Sequence, residues 1–245
     1  MIQSSITNIP LKHYWDKTGQ QYYLAWKSQA QKEMSKKELS FIMDYLAKTS
    51  SKIVLDIGVG TGRIIGKYIN ENKIDSIYGI DISPVMINIC RKKYAHCNKL
   101  KALKICNLEK QEIPYRIKFD FISAIRIFKY IKDWQKALKK IKTNLNSNGI
   151  CVFTILNPFS FNILTNLLKS EITTYKSTIT DIKKICALLK LNVLEITSFS
   201  KIPDYFYKFS NKRYIKILLF TEKILEKMLG KILGGRIIFV AVRKK

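Results

Sequence analysis

The sequence predicts an α/β fold: a doubly wound, seven-stranded, mostly parallel sheet with helical cover segments. Short apolar runs alternate with amphipathic stretches through residues 50–245. One of those runs ends in a glycine-rich turn that opens a helix, and no internal repeat or low-complexity linker interrupts the order. The composition agrees, because 47% apolar residues in a chain of 245 supply a core and exclude a disordered, collagen-like or coiled-coil chain. Five cysteines, an odd number with no CxxC spacing, argue for free and mostly buried thiols in a reducing, intracellular setting.

The first helix expected spans about Ser28 to Lys48, with Phe41, Ile42, Tyr45 and Leu46 at helical spacing. A buried strand follows at Lys52–Asp56, then the glycine turn and a helix starting near Gly62. Ser76–Ile82 is the second strand, and Pro84 suits the first turn of the next helix. Leu103–Cys106 and Phe119–Ile125 are the third and fourth strands. Asp133 is placed to cap a helix carrying Trp134, Leu138, Ile141 and Leu145, which Asn148-Gly149 ends before a fifth strand at Ile150–Leu156. Thr178–Lys190 reads as a helix, Asn192–Phe199 as a strand, Lys212–Leu233 as a long amphipathic helix and Arg236–Val242 as the last strand. Residues 1–49 are expected to form a helical cap over the site, with the main domain at 50–245 and a substrate-cover insertion around 157–191.

With 44 Lys plus Arg against 18 Asp plus Glu, the formal charge is +26. That surplus favours anionic partners, although scattered pairs such as Lys36-Lys37 and Lys139-Lys140 also read as solvated helix faces. The opening MIQSSITNIPLKHYWDK has no apolar stretch of the secretory kind, and no run is long and uncharged enough to span a bilayer. A cytoplasmic protein, at most peripheral to a membrane, is the expectation.

The informative stretch is Ile53-Val-Leu-Asp-Ile-Gly-Val-Gly-Thr-Gly62. A buried strand that runs into Gly58, Gly60 and Gly62 lets backbone approach a ligand at the strand's carboxyl end. Asp81, at the end of the second strand, is placed to accept hydrogen bonds from a ribose diol. A dinucleotide fits less well, because Arg63 stands where the GxGxxG spacing needs glycine and Asp56 would repel a pyrophosphate. S-adenosylmethionine, with its ribose diol, ammonium and sulfonium, suits both acids; Asp56 alternatively bonds backbone amides of the turn.

These residues resemble motif I of the class I S-adenosylmethionine-dependent methyltransferases, in their small-molecule and quinone-type branch. Tyr78-Gly-Ile-Asp-Ile-Ser-Pro-Val-Met86 is similar to the second motif, and the resemblance puts Ile82 and Met86 beside the adenine. Cys106-Asn-Leu-Glu-Lys-Gln-Glu-Ile-Pro114 is similar to the third, with Asn107 where the family usually has Asp and with Leu108 beside it. Phe119 to Asp133 resembles the family's fourth strand and the Leu-Glu-His-Ile-x-Asp type of segment after it, which adds Ile125 to the cofactor set. In the N-terminal segment Tyr22 is the match for a Tyr that closes over the methionine end of the cofactor. The resemblance covers about residues 50–156 and implies a Rossmann-like methyltransferase fold and a methyl-transfer activity.

Methyl transfer from a sulfonium is an in-line displacement that needs the acceptor atom held close and water excluded. An amine acceptor needs no base, whereas a phenol or enol does. Tyr130 replaces the family's frequent His, and either orients a substrate hydroxyl or packs. Tyr22 and His13 are the other catalytic candidates, while His96 reads as a surface residue and no metal-ligand spacing is found. The favoured reading is a small-molecule methyltransferase acting on a metabolite, quinone or lipid-linked acceptor, with anionic and lipid-like acceptors among the options and the 212–233 helix either resting on an anionic membrane or packed on the sheet. An RNA-modifying enzyme using the basic surface and a non-catalytic nucleotide-binding protein are the alternatives. The absence of an Asn/Asp-Pro-Pro-Tyr/Phe sequence, whose place Ser123-Ala-Ile-Arg126 takes, weighs against the first of these.

Overall fold

The computed structural model describes residues 10–22, 29–161, 172–203, 206, 212–230 and 232–245. Two helices come first, α1 (Leu11–Tyr22) and α2 (Gln29–Ala47), followed by β1 (Ile53–Ile57), α3 (Ile65–Ile69), β2 (Ser76–Asp81) and α4 (Pro84–Lys93). Then come β3 (Leu100–Ile105), β4 (Phe119–Ala124), a 3₁₀ turn at Phe128–Tyr130, α5 (Trp134–Asn144) and β5 (Leu145–Leu156). The chain closes with α6 (Ile179–Leu188), β6 (Leu191–Phe199), α7 (Lys212–Leu229) and β7 (Ile237–Lys244).

The strands form one sheet in the order β3-β2-β1-β4-β5-β7-β6, and only β7 runs antiparallel to its neighbours. Each strand sends alternate residues to opposite faces. Leu55, Phe153 and Val240 join one apolar cluster under α5 and α6, while Val54, Val152 and Phe239 join the other under α2, α3 and α4. From α2, Phe41, Ile42, Tyr45 and Leu46 all enter the second cluster, as their spacing predicts. Ser83 caps α4 by accepting from the Met86 amide at 3.2 Å, and Pro84 occupies the first turn. Thr178 and Asp181 form a reciprocal capping box at the start of α6.

Three local expectations are corrected. Asp133 holds the cap position of α5 but its carboxylate pairs with the Lys136 ammonium at 2.8 Å, leaving the helix without a side-chain cap bond. Asn148-Gly149 does not end α5, which stops at Asn144; the pair lies inside β5, where the register against β4 jumps from Phe119↔Leu145 to Phe121↔Ile150. Asn148 takes φ 62 there, so its signal is that of an irregularity in a strand and not of a helix end. α7 stops at Leu229, before Gly230 at φ 71, and so falls short of Leu233.

Helical spacing puts Ile217, Leu218, Thr221, Leu225, Met228 and Ile232 on one apolar face of this helix, and the structure turns it differently. Ile215, Leu218 and Glu222 turn inward, and buried Glu222 accepts the amides of Lys201 (2.6 Å) and Ile202 (2.9 Å) beyond β6. Ile217, Phe220, Ile224 and Met228 form an outward stripe, with Phe220 65% exposed. A carboxylate on the packed side, which no hydrophobic periodicity signals, decides this rotation. Among the described residues no helix is long and apolar enough to cross a membrane.

Candidate active site

The cavity lies at the carboxyl ends of β1, β2 and β4, where a parallel sheet leaves a crevice as its strand order reverses. Its floor is the turn after β1. Gly58, Gly60 and Gly62 all take positive φ (77, 51 and 81°), the region that favours glycine. The turn is pinned by the Gly58 amide on the Ile80 carbonyl (2.7 Å) and the Gly62 amide on the Val59 carbonyl (2.8 Å). A side chain on Gly62 would also strike Tyr94 and Cys90 at under 3 Å, which keeps the turn tight against α4.

Asp81 stands opposite the turn. Its Oδ2 accepts the Gly60 amide and its Oδ1 the Ser83 amide, each at 2.9 Å. Burial raises its pKa while those backbone bonds oppose the rise. Each carboxylate oxygen keeps a further lone pair, so the group is fixed in orientation and still able to accept from a ligand. Asn107 and Leu108 follow β3 on the same wall, with the Asn107 Oδ1 accepting the Glu109 amide at 3.1 Å. Ile82, Met86 and Ile125 supply apolar surface.

The structure thus brings together Gly58, Gly60, Asp81, Ile82, Met86, Asn107, Leu108, Ile125 and Tyr130 around one cavity. Gly62 lies behind the turn. Asp56 does not line the cavity: it is fully buried beneath the turn, where its Oδ1 accepts the Ser123 hydroxyl at 2.6 Å. Its Oδ2 has no protein hydrogen-bond partner among the described residues. Burial pushes this carboxyl up to about 7, against the Ser123 bond and Arg63 and with help from Asp81. His13 is exposed on α1 and away from the cavity. Tyr22 ends α1, and its side chain lies outside the described residues, as do Tyr23, Trp26 and all but Phe206 of the aromatic run 205–209.

The raised Asp56 pKa makes stability depend on pH. The folded protein binds a proton that the unfolded chain has already lost between about pH 4 and 7, so stability from this group declines as pH rises through that window. An Asp56→Asn variant, which does not titrate, is expected to gain melting temperature relative to the parent from pH 4 to 7 and to hold a constant difference above. A pH-independent difference would contradict the buried, protonatable carboxyl.

Further residues line the cavity, some of them without a signal in the sequence. Leu11 and Trp15 of α1 roof the cavity, with Trp15 edge-on to Tyr130 at 5.7 Å and Asp16 accepting the Ser83 hydroxyl at 2.6 Å. Arg63, Arg126 and Lys129 also line it. Glu38 of α2, with no exposed surface, accepts from Arg63 Nη2 at 2.6 Å and from Arg126 Nε at 2.7 Å. Arg63 also donates to the Ser35 hydroxyl, one helical turn before Glu38. Ser35 and Glu38 share one face of α2, but nothing local in the sequence ties them to Arg126, 88 positions away.

A family model for the methyltransferase domain matches residues 48–217, more than half of the chain. The chain belongs to the class I S-adenosylmethionine-dependent methyltransferases. Its sheet order and nearly full-length structural likenesses agree. A magnesium protoporphyrin IX methyltransferase from Synechocystis, solved with S-adenosylhomocysteine, superposes with TM-score 0.64 at 11% identity, covering 96% of this chain and 98% of that one. A methyltransferase of Thermotoga maritima gives the same TM-score at 18% identity, over 96% of this chain and all of the other. By sequence, this methyltransferase is 30% identical over 107 residues to a carboxy-S-adenosyl-L-methionine synthase of Yersinia pseudotuberculosis, spanning 40% of this chain and 42% of the relative. It is 26% identical over 134 residues to a malonyl-[acyl-carrier protein] O-methyltransferase of Acetivibrio thermocellus, spanning 54% and 46%. The matches therefore extend over less than half the length of these relatives. S-adenosylmethionine is the cofactor of this methyltransferase, as of its superfamily.

Proposed function

We propose that the protein moves a methyl group from S-adenosylmethionine to a small-molecule acceptor enclosed beneath α1, mainly by positioning. The observation that carries this is Asp81, fixed by the Gly60 and Ser83 amides in a cavity where Ile82, Met86, Leu108 and Ile125 supply apolar surface. That donor and acceptor set fits the cofactor: a carboxylate with lone pairs to spare for a diol, and Asn107, Leu108, Ile82 and Met86 for a flat heterocycle. The orphaned Oδ2 of Asp56 beneath the turn adds negative potential for a cationic ligand whenever the carboxyl is ionised. When bound, S-adenosylmethionine supplies an electrophilic methyl carbon on a sulfonium.

Gly58 and Gly60 let the backbone come close to the ligand, and Asp81 orients it. Trp15 and Leu11 keep water from the reacting groups, and Tyr130, braced by Trp15, positions the acceptor. Residues 1–49 act in two parts in this reading, α1 as the cap over the site and α2 as a support that reaches it through Glu38. The cover segment, described at 157–161 and 172–191, ties down the Lys129 turn where the Tyr175 amide meets the Lys129 carbonyl at 2.7 Å. A roofed cavity supports a small acceptor over an RNA strand, which needs an open basic face. Native mass spectrometry of the purified protein incubated with S-adenosylmethionine and cell metabolites is expected to show turnover to bound S-adenosylhomocysteine and an acceptor heavier by one methylene. A cofactor that stays unconverted with every metabolite fraction would contradict the catalytic reading.

The outward stripe of α7 favours a second, compatible contact. Ile217, Phe220, Ile224 and Met228 are flanked by exposed Lys216, Lys223 and Lys227, the pattern of a helix lying in an anionic membrane surface. Co-sedimentation with phosphatidylserine vesicles is expected, weakening with added salt and on Phe220→Ser, and absent with phosphatidylcholine. Equal recovery with both vesicle types would contradict it.

A further inference from the structure

The lining of the cavity carries a concentration of positive charge. Arg126 follows β4, Lys129 sits in the 3₁₀ turn after it, and Arg63 follows the glycine turn; all three reach the cavity wall. Arg236 immediately precedes β7, whose Ile237 pairs with Leu156 at the carboxyl end of β5, so it stands at the same edge of the sheet. Its guanidinium is held below its ordinary pKa by burial and then by Arg126. Glu38 pairs with Arg63 and Arg126, one carboxylate for two guanidinium groups, and it fixes their direction more than it cancels the local charge.

Two further observations show that this arrangement is maintained at a cost. Arg126 takes φ 63, a left-handed backbone that is unfavourable for a residue with a side chain, and its amide is held there by the Thr154 hydroxyl at 2.6 Å. Lys129 is half-buried with its ammonium 4.6 Å from the Tyr130 ring centre. Its pKa is pushed down to about 7 by burial first, then by Arg126 and Arg236, with Glu38 opposing. A desolvated amine among like charges is a group whose charged form is restored by an incoming anion.

We propose that the acceptor carries an anionic group, a carboxylate or a phosphate-type group, received by Arg126 and Lys129 with Arg63 and Arg236 completing the positive field. This rests on the reading of the cavity as the methyl-transfer site and adds the acceptor's chemical class. Arg126 faces Glu38 through Nε and Nη2, so what it adds for such a group is the positive charge of its guanidinium at the cavity wall. Lys129 becomes fully protonated as the anion enters, so binding takes up a proton and weakens as pH rises above about 7. The charged groups acting on Lys129 are Arg126, Arg236 and Glu38. The same chemistry has a second source, the carboxylate of the cofactor's own methionine end, and the experiment separates the two.

The test is calorimetric titration of the full chain, first saturated with S-adenosylhomocysteine, with sulfate and with malonate. Saturable binding of at least one is expected, severalfold tighter at pH 6.5 than at 8.5 and with a heat that depends on buffer ionisation. Lys129→Met keeps the length and apolar stem of the side chain, and Arg126→Gln removes the guanidinium charge. Each is expected to abolish anion binding while the affinity for S-adenosylhomocysteine stays within about twofold. If both variants instead lose S-adenosylhomocysteine, and sulfate competes with it, the cations serve the cofactor's carboxylate and the proposal is overturned. Lack of anion binding to the saturated protein overturns it equally, with the cofactor reading left standing. Failure of S-adenosylhomocysteine to bind the parent protein removes that reading, and this proposal with it.

Discussion

Glu38→Ala is expected to be the most destabilising single substitution at the site. The side chain has no exposed surface and answers two guanidinium groups, so its loss leaves both without the carboxylate that holds them. Breaking a buried ion pair by removing one partner typically costs about 3–5 kcal/mol. Both arginines keep partial contact with water, 22% for Arg63 and 28% for Arg126, which sets the expectation at the low end. A loss of about 3 kcal/mol corresponds to a melting temperature lower by about 6–12 °C in a domain of this size. Glu38→Gln, which keeps the shape and one acceptor oxygen, is expected to recover part of that loss. A melting temperature unchanged in Glu38→Ala would show that the cluster contributes nothing to the fold.

Asp81→Ala is expected to weaken S-adenosylhomocysteine binding by about 1.5–3 kcal/mol, the range for hydrogen bonds to a charged group. Two consequences act together. A ligand diol loses its acceptor, and the Gly60 and Ser83 amides lose the carboxylate that orients the turn and the start of α4. Asp81→Asn separates them, since it keeps the shape and an acceptor oxygen but places an amide donor toward one of those N–H groups. An affinity for Asp81→Asn between those of the parent and Asp81→Ala is expected by calorimetry. Equal affinity in all three would remove Asp81 from the site.

Much of this arrangement is legible in the sequence because the relevant signals are local. The glycine turn, the acid ending the second strand and Pro84 in the first turn of α4 each occupy a few consecutive residues, and the parallel strands read as uninterrupted apolar runs. The seven-strand order emerges once those units are wound on one sheet. The hidden part is long-range. Glu38 sits in the middle of a helix with ordinary polar neighbours, and its role depends on Arg126 arriving beside it from β4. Arg126 and Lys129 are indistinguishable in composition from the dozens of solvated cations elsewhere, and only burial at a shared sheet edge singles them out. Beside Trp15 on α1, Asp16 accepts from Ser83, a link of 67 positions with no local trace. The orientation of α7 departs from its sequence pattern for a related reason: apolar residues occur on both of its sides, and a buried glutamate selects one.

In the proposed function, the turn at Gly58–Gly62 and the carboxylate of Asp81 form a site for S-adenosylmethionine and its product. Titrating the purified full chain with S-adenosylhomocysteine and, separately, with NADH tests it most directly. Saturable one-to-one binding of S-adenosylhomocysteine, sharply weakened in Asp81→Ala, is expected, with little or no heat from NADH. Binding of NADH by a protein indifferent to S-adenosylhomocysteine would contradict it.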